Sequence, residues 1–207
     1  MDQPRSHPEF LVGLGPAADD WTRLPGEEQT YVECAGRTRR NEFAAGRQLA
    51  RRLLHGLGHT APVLPQDTAG RVTWPVGIVG SISHSRSVCL VVVARATAVR
   101  SVGVDIEEVR PVEPDLWPWL LSERERSERV SADAVLARFS AKEAAYKCAS
   151  PWLATAFDPR QVDVALHAGG RFTATIAGAP LPWSRLTGWT VRTDRWIAAV
   201  AVVPQTA

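Results

Sequence analysis

Val88-Cys89-Leu90-Val91-Val92-Val93-Ala94, followed after six residues by Ser101-Val102-Gly103-Val104-Asp105-Ile106-Glu107, is the stretch on which the fold turns. The first segment is an unbroken apolar run, as in a strand covered on both faces, and it is far short of the roughly 20 residues that a membrane helix needs. The second alternates, sending Val102, Val104 and Ile106 to one face and Asp105 with Glu107 to the other. The short polar turn between them predicts a β-hairpin.

Upstream, Phe43, Ala50, Leu53, Leu54 and Leu57 recur at helical spacing from Arg37 until Gly56 and Gly58 end the pattern. Residues 1–30 read as loops with a short strand at 10–12. Residues 60–77, punctuated by Pro62, Pro65, Gly70, Pro75 and Gly77, read as an extended connection. Downstream, Ser122 with Glu125 three residues on is a capping box that opens one helix. Val135, Leu136, Phe139 and Tyr146 predict a second from about Asp133 to Cys148. The tail alternates at 162–164, 172–176 and 189–203, as half-buried antiparallel strands do. The class is therefore α+β.

A faint internal echo suggests how the chain is built. Ile82–Ala94 laid over Val191–Val203 aligns Arg86 with Arg195, Val91 with Val200 and Val93 with Val202, and Phe43 and Ala45 fall over Phe139 and Ala141. The expected architecture is two similar α+β halves, residues 1–100 and 101–207.

Hydrophobic residues make up 45% and charged residues 22% of the 207, which argues against a disordered or fibrous chain. The 24 basic and 22 acidic residues give a net charge of +2, too balanced for a surface devoted to nucleic acid. A polar, proline-bearing N-terminus lacks the apolar stretch of a signal peptide, and three cysteines without metal-ligand spacing suit a reducing compartment. The expectation is a cytoplasmic protein that does not enter membranes.

Only two of the 24 basic residues are lysines, Lys142 and Lys147, and they lie on one helix around Glu143. Arginine serves elsewhere, so this window wants a compact ammonium rather than a guanidinium fork. Glu143 and Lys147 are about 40° apart around the helix and can address one ligand, whereas Lys142 points well away. Removing the charge of Lys142 is expected to matter less than removing that of Lys147, with a residual effect on ligand or partner affinity. The plain alternative is an exposed ion pair of the common kind. On the strand, Asp105 and Glu107 form an all-oxygen pair of the type that holds Mg²⁺ beside a substrate phosphate, or else a solvated acidic strand end. Gly80-Ser81-Ile82-Ser83-His84-Ser85 gathers hydroxyls, amides and an imidazole able to hold a phosphate. Arg40, Arg47 and Arg51 share a helical stripe, and Arg71 follows Gly70; their guanidinium forks suit phosphate oxygens, and a solvated basic face is the plain reading.

Gly80-Ser81-Ile82-Ser83-His84-Ser85, Gly103-Val104-Asp105-Ile106-Glu107 and Phe139-Ser140-Ala141-Lys142-Glu143-Ala144-Ala145-Tyr146-Lys147 together, in this order, resemble the motifs of the 4′-phosphopantetheinyl transferase family, in its larger monomeric class with the siderophore-synthase branch. Glu42-Phe43 with Gly46-Arg47, and Trp74-Pro75 with Gly77, are weaker matches. The resemblance implies two pseudo-twofold halves with coenzyme A in the cleft between them, and transfer of its phosphopantetheine to a serine of an acyl, aryl or peptidyl carrier protein. It implies Mg²⁺, or Mn²⁺, on Asp105, Glu107 and Glu143. It also implies Lys147 on the pyrophosphate, Glu143 as base, and Ser83, His84, Arg47, Arg71 and either Arg39 or Arg40 on phosphates. Arg124, Arg126, Trp117 and Trp119 are candidates for the carrier surface. Two rival readings are a metal-dependent phosphohydrolase using the same carboxylates and a nucleic-acid module using the Arg37–Arg52 cluster.

Overall fold

A computed structural model describes residues 9–128, 130–153, 156–178 and 181–205. The two long helices form where the apolar spacing puts them, α2 at Arg37–Gly56 and α5 at Ala132–Ala149, and three short ones are α1 (Gly26–Thr30), α3 (Trp117–Leu120) and α4 (Glu123–Arg126). The capping box closes in both directions. Ser122 Oγ accepts from the Glu125 amide, and the Glu125 carboxylate accepts from the Ser122 amide at 2.9 Å.

The strands divide into two antiparallel sheets. β1 (Phe10–Pro16), β2 (Ile78–Ser85) and β3 (Val88–Arg95) form a sheet in the order β1-β3-β2. β4 (Val99–Glu108), β5 (Val162–Leu166), β6 (Arg171–Ile176), β7 (Leu186–Arg192) and β8 (Trp196–Pro204) form the other in the order β4-β8-β7-β6-β5. The expected hairpin between Val88–Ala94 and Ser101–Glu107 does not form. The chain leaves the first sheet after Arg95, turns with Ala98 N donating to Arg95 O, and enters the second. β3 instead makes its hairpin with β2 across Arg86 and Ser87. Gly80–Ser85, whose hydroxyls, amides and imidazole read as a group able to hold a phosphate, pairs along β3 and is part of strand β2.

The order β1-β3-β2 recurs as β4-β8-β7, with β6 and β5 added beyond it. The internal echo thus lays one hairpin, β2–β3, over another, β7–β8, and one long helix over the other. Helix α2 covers the first sheet, with Leu49, Ala50 and Leu54 against Cys89, Val91 and Val93. Helix α5 covers the second, with Ala141, Ala144, Ala145 and Cys148 against Phe172, Ala199 and Ala201. The sheets meet face to face through Val88, Leu90 and Val92 on one side and Val102, Val104 and Ile106 on the other. β4 therefore keeps the alternation expected of it, but its polar face is not open: α5 lies over it, and Asp105 is 3% exposed.

That close approach depends on one glycine. A Cβ on Gly103 would lie 2.1 Å from Ala144 O and 2.4 Å from Cys148 N, both backbone atoms of α5 that have no rotamer by which to yield. Gly103→Ala should therefore destabilise the fold by about 1–3 kcal/mol, measured by urea unfolding, because α5 must lift from β4. An unchanged unfolding midpoint would count against this packing. No helix among the described residues is long and apolar enough to cross a membrane.

Candidate active site

Helix α5 and strands β2 and β4 bring three side chains together. Lys147 Nζ donates to Asp105 Oδ1 at 2.9 Å and to Ser83 Oγ at 3.0 Å, and Ser83 Oγ donates to the same Asp105 oxygen at 2.9 Å. One turn back on α5, Glu143 Oε2 lies 3.8 Å from Lys147 Nζ. Ser81, two residues before Ser83 and on the same side of β2, accepts from the Val104 amide at 3.1 Å. Each of these strands is at the edge of its sheet, where backbone donors need partners, and the two serines tie the edges together. Sequence reasoning missed that structural role of Ser81, although the two-residue spacing of Ser81 and Ser83 was a signal for it.

Negative charge exceeds positive charge here. Asp105 Oδ2 is buried without a hydrogen-bond partner. Burial, with the Asp105 charge next in importance, pushes the Glu107 carboxyl up to about 7, and burial likewise raises Glu143 against the pull of Lys147. Among the described residues no three His, Cys, Asp or Glu side chains stand as a ready-made metal cluster. The Lys147 ammonium bridges Asp105 and Glu143 instead. The donor chemistry still fits a hard divalent cation, because the set is all oxygen and its most buried carboxylate has one oxygen unmatched.

Beside this group a cavity of about 670 Å³ opens between the two sheets' helices. Arg39, Glu42 and Arg47 of α2, Arg71 of the connection, His84 of β2, Arg100 of β4 and Lys147 all line it. Arg39 Nη1 lies 2.5 Å from His84 Nε2, and His84 Nδ1 lies 3.5 Å from Glu42 Oε2. Arginine only donates, so Nε2 accepts and the proton sits on Nδ1 facing Glu42. Burial pushes the His84 pKa below its ordinary value, opposed by Glu42. Arg47 is buried, donates to Leu64 O at 3.2 Å and lies 4.3 Å over the Phe43 ring. Burial lowers it to about 10, which leaves it charged at neutral pH. Arg71 donates to Asp67 Oδ2 at 2.7 Å and to Ser150 O at 2.5 Å, so it reaches across the cavity to the end of α5.

The family model described as the 4′-phosphopantetheinyl transferase N-terminal domain matches residues 27–94, and that of the 4′-phosphopantetheinyl transferase superfamily matches residues 101–201. The 4′-phosphopantetheinyl transferase Svp of Streptomyces mobaraensis is 33% identical over 190 residues, covering 86% of this chain and 75% of its own. PptT of Mycobacterium tuberculosis, a 4′-phosphopantetheinyl transferase by name, is 33% identical over 205 residues, covering 88% of this chain and 86% of its own. The chain belongs to the 4′-phosphopantetheinyl transferase superfamily. Within it, similarity extends to the siderophore-type branch, since enterobactin synthase component D of Escherichia coli is 35% identical over 154 residues, covering 68% of this chain and 70% of its own.

In this transferase Arg39 faces the cavity and Arg40 does not. Arg40 stacks 4.5 Å over Trp21 and donates to the carbonyls of Val32, Glu33 and Ala35, which ties the loop before α2 to the helix. Lys142 points away from the cavity, but the expectation that it tunes ligand affinity is overturned. It is fully buried, with Nζ 2.5 Å from Glu125 Oε2, 2.9 Å from Leu120 O and 2.8 Å from Pro159 O. Trp119 is 62% exposed with Arg160 5.5 Å over its ring, whereas Trp117 is half-buried and donates to Val112 O. Arg124 lies beside Glu128 and Asp163, and Arg126 is exposed. Arg100, one arginine among 22 and part of no motif, was missed by the sequence reading.

Proposed function

We propose that this transferase moves the 4′-phosphopantetheine group of coenzyme A onto a serine hydroxyl of an apo carrier protein and releases adenosine 3′,5′-bisphosphate. The observation that carries the reading is the Lys147–Asp105–Ser83 group standing at the wall of an arginine-lined cavity. A phosphoryl transfer needs alignment and compensation of oxygen charge more than covalent help, and such a cavity supplies both. Arg39, Arg47, Arg71 and His84 would hold the nucleotide's phosphates. The Lys147 ammonium, oriented by Asp105 and Ser83, would meet charge developing on the pyrophosphate. Glu143, whose proton affinity burial has raised, would take the serine proton directly or through a water. Mg²⁺ or Mn²⁺ would be held by Asp105 and Glu107 with Glu143, and would supply further neutralisation of the pyrophosphate.

The carrier would be a small acidic helical protein meeting Trp119, Arg124 and Arg126. The rival phosphohydrolase and nucleic-acid readings are not favoured, because both halves match transferase models and the charge is near balance.

Apo carrier protein, coenzyme A and Mg²⁺ should give a carrier heavier by one phosphopantetheine group in intact mass spectrometry. Hydrolysis of coenzyme A with no mass gain on the carrier would overturn the reading. Excess chelator should stop the transfer; full turnover in its presence would remove the metal from the site.

A further inference from the structure

We propose that Arg100 is an additional phosphate-binding residue of the cavity, aimed into it by a β-bulge; this rests on the coenzyme A reading above. The pairing of β4 with β8 runs in register from Ser101↔Val203 to Glu108↔Trp196, then skips, so that Val99 pairs with Pro204 and Arg100 is left over. Strict alternation would send residue 100 the way of Val102, Val104 and Ile106, into the core between the sheets. A bulge frees the extra residue from that alternation and re-aims its side chain, and here the side chain lines the cavity.

The cavity cations differ in what already occupies them. Arg39 lies against His84 and Glu42, Arg47 donates to Leu64 O, Arg71 to Asp67 and Ser150, and Lys147 to Asp105 and Ser83. Among the described residues, Arg100 has neither a hydrogen bond nor an ion pair. Its guanidinium lies 5.6 Å from the centre of the Trp152 ring and 5.5 Å from that of Trp183, two indoles packed edge to face at 4.6 Å. The aromatic faces hold the guanidinium in place and leave its five N–H donors unmatched. A planar fork, oriented but uncommitted, on the wall of an anion-binding cavity suits a phosphate of the nucleotide. Ser83, His84 and Arg47 approach that ligand from the N-terminal half; Arg100 would grip it from β4, beside Trp152.

The test is calorimetric titration of the full-length wild type, Arg100→Met, Arg100→Gln and Arg100→Lys with coenzyme A, 3′-dephospho-coenzyme A and pantetheine. Both uncharged variants should bind coenzyme A about 10- to 100-fold more weakly, the scale of one charge-assisted contact, with Arg100→Lys in between. A loss shared by dephospho-coenzyme A puts the contact on the pyrophosphate, and a loss confined to coenzyme A puts it on the 3′-phosphate; either supports the proposal. Wild-type affinity in the uncharged variants overturns it, as does an equal loss for pantetheine, which carries no phosphate. Failure of the wild type to bind coenzyme A would instead defeat the functional reading itself. Arg100 is exposed and bonded to no protein acceptor, so the thermal midpoints of the variants should match wild type.

Discussion

Lys147→Met should lower phosphopantetheine transfer by about 10²-fold or more, the scale seen when one preorganised electrostatic contact to a transition state is removed. Methionine keeps most of the apolar stem, so the change isolates the ammonium. That ammonium is fixed before any ligand arrives by Asp105 and Ser83, and it belongs to the cavity wall. It needs no reorganisation to meet charge on the pyrophosphate. The arginines and His84 remain, so coenzyme A affinity should change far less than turnover. Single-turnover rates and titration calorimetry on the same preparation would separate the two, and turnover within a few-fold of wild type would take Lys147 out of the reaction.

Lys142→Met, five residues away on the same helix, should do the opposite and strike stability. It removes one partner of an ion pair in which both side chains are 0% exposed, leaving the Glu125 carboxylate charged in the core. Breaking such a pair costs about 3–5 kcal/mol. At about 2–4 °C per kcal/mol for a chain of this size, the thermal midpoint should fall by roughly 6–20 °C. Adding Glu125→Gln should recover part of the loss, because the charge goes while the amide oxygen still accepts from the Val164 or Ser122 backbone, as the carboxylate does now. A midpoint unmoved by Lys142→Met would contradict the buried pair.

These two lysines mark where the sequence was legible and where it was not. Their angular separation follows from helix geometry alone, and α2, α5 and the Ser122–Glu125 cap were equally readable because each is written in local spacing. What surrounds Lys142 was not, since Leu120, Glu125 and Pro159 are brought to it by tertiary packing. The same limit hid the parallel device in the first half. There Glu28, also fully buried, accepts from the Leu64 amide at 2.6 Å and pairs with Arg51 of α2, as Glu125 accepts from the Val164 amide and pairs with Lys142 of α5.

Strand partners were misread for a related reason. Val88–Ala94 and Ser101–Glu107 have the pattern of neighbours, but pattern does not say that the intervening residues change sheets. The burial of Asp105 was not legible because alternation tells which residues share a side, not what covers it. Choosing Arg39 over Arg40 required Trp21 and the carbonyls of residues 32–35 to be in place. Arg100 required a bulge, which depends on the register of β4 against a strand almost 100 residues later.

The meeting of the two sheets also bears on how the chain is made. The ribosome releases the first sheet and α2 long before it has made β8, the strand that pairs with β4, and at that stage Val88, Leu90 and Val92 lack the second sheet while the outer edge of β2 has no neighbour. An apolar sheet face beside an unpaired strand edge is the kind of surface on which nascent chains aggregate or recruit chaperones. Residues 102–106 cover that face, but β4 is held in its sheet by β8, so the interval closes only when residues 196–204 have emerged as well. Synonymous codons that slow translation between residue 108 and β8 would lengthen this exposure, so the yield of soluble protein should depend on the speed at which the second half is synthesised.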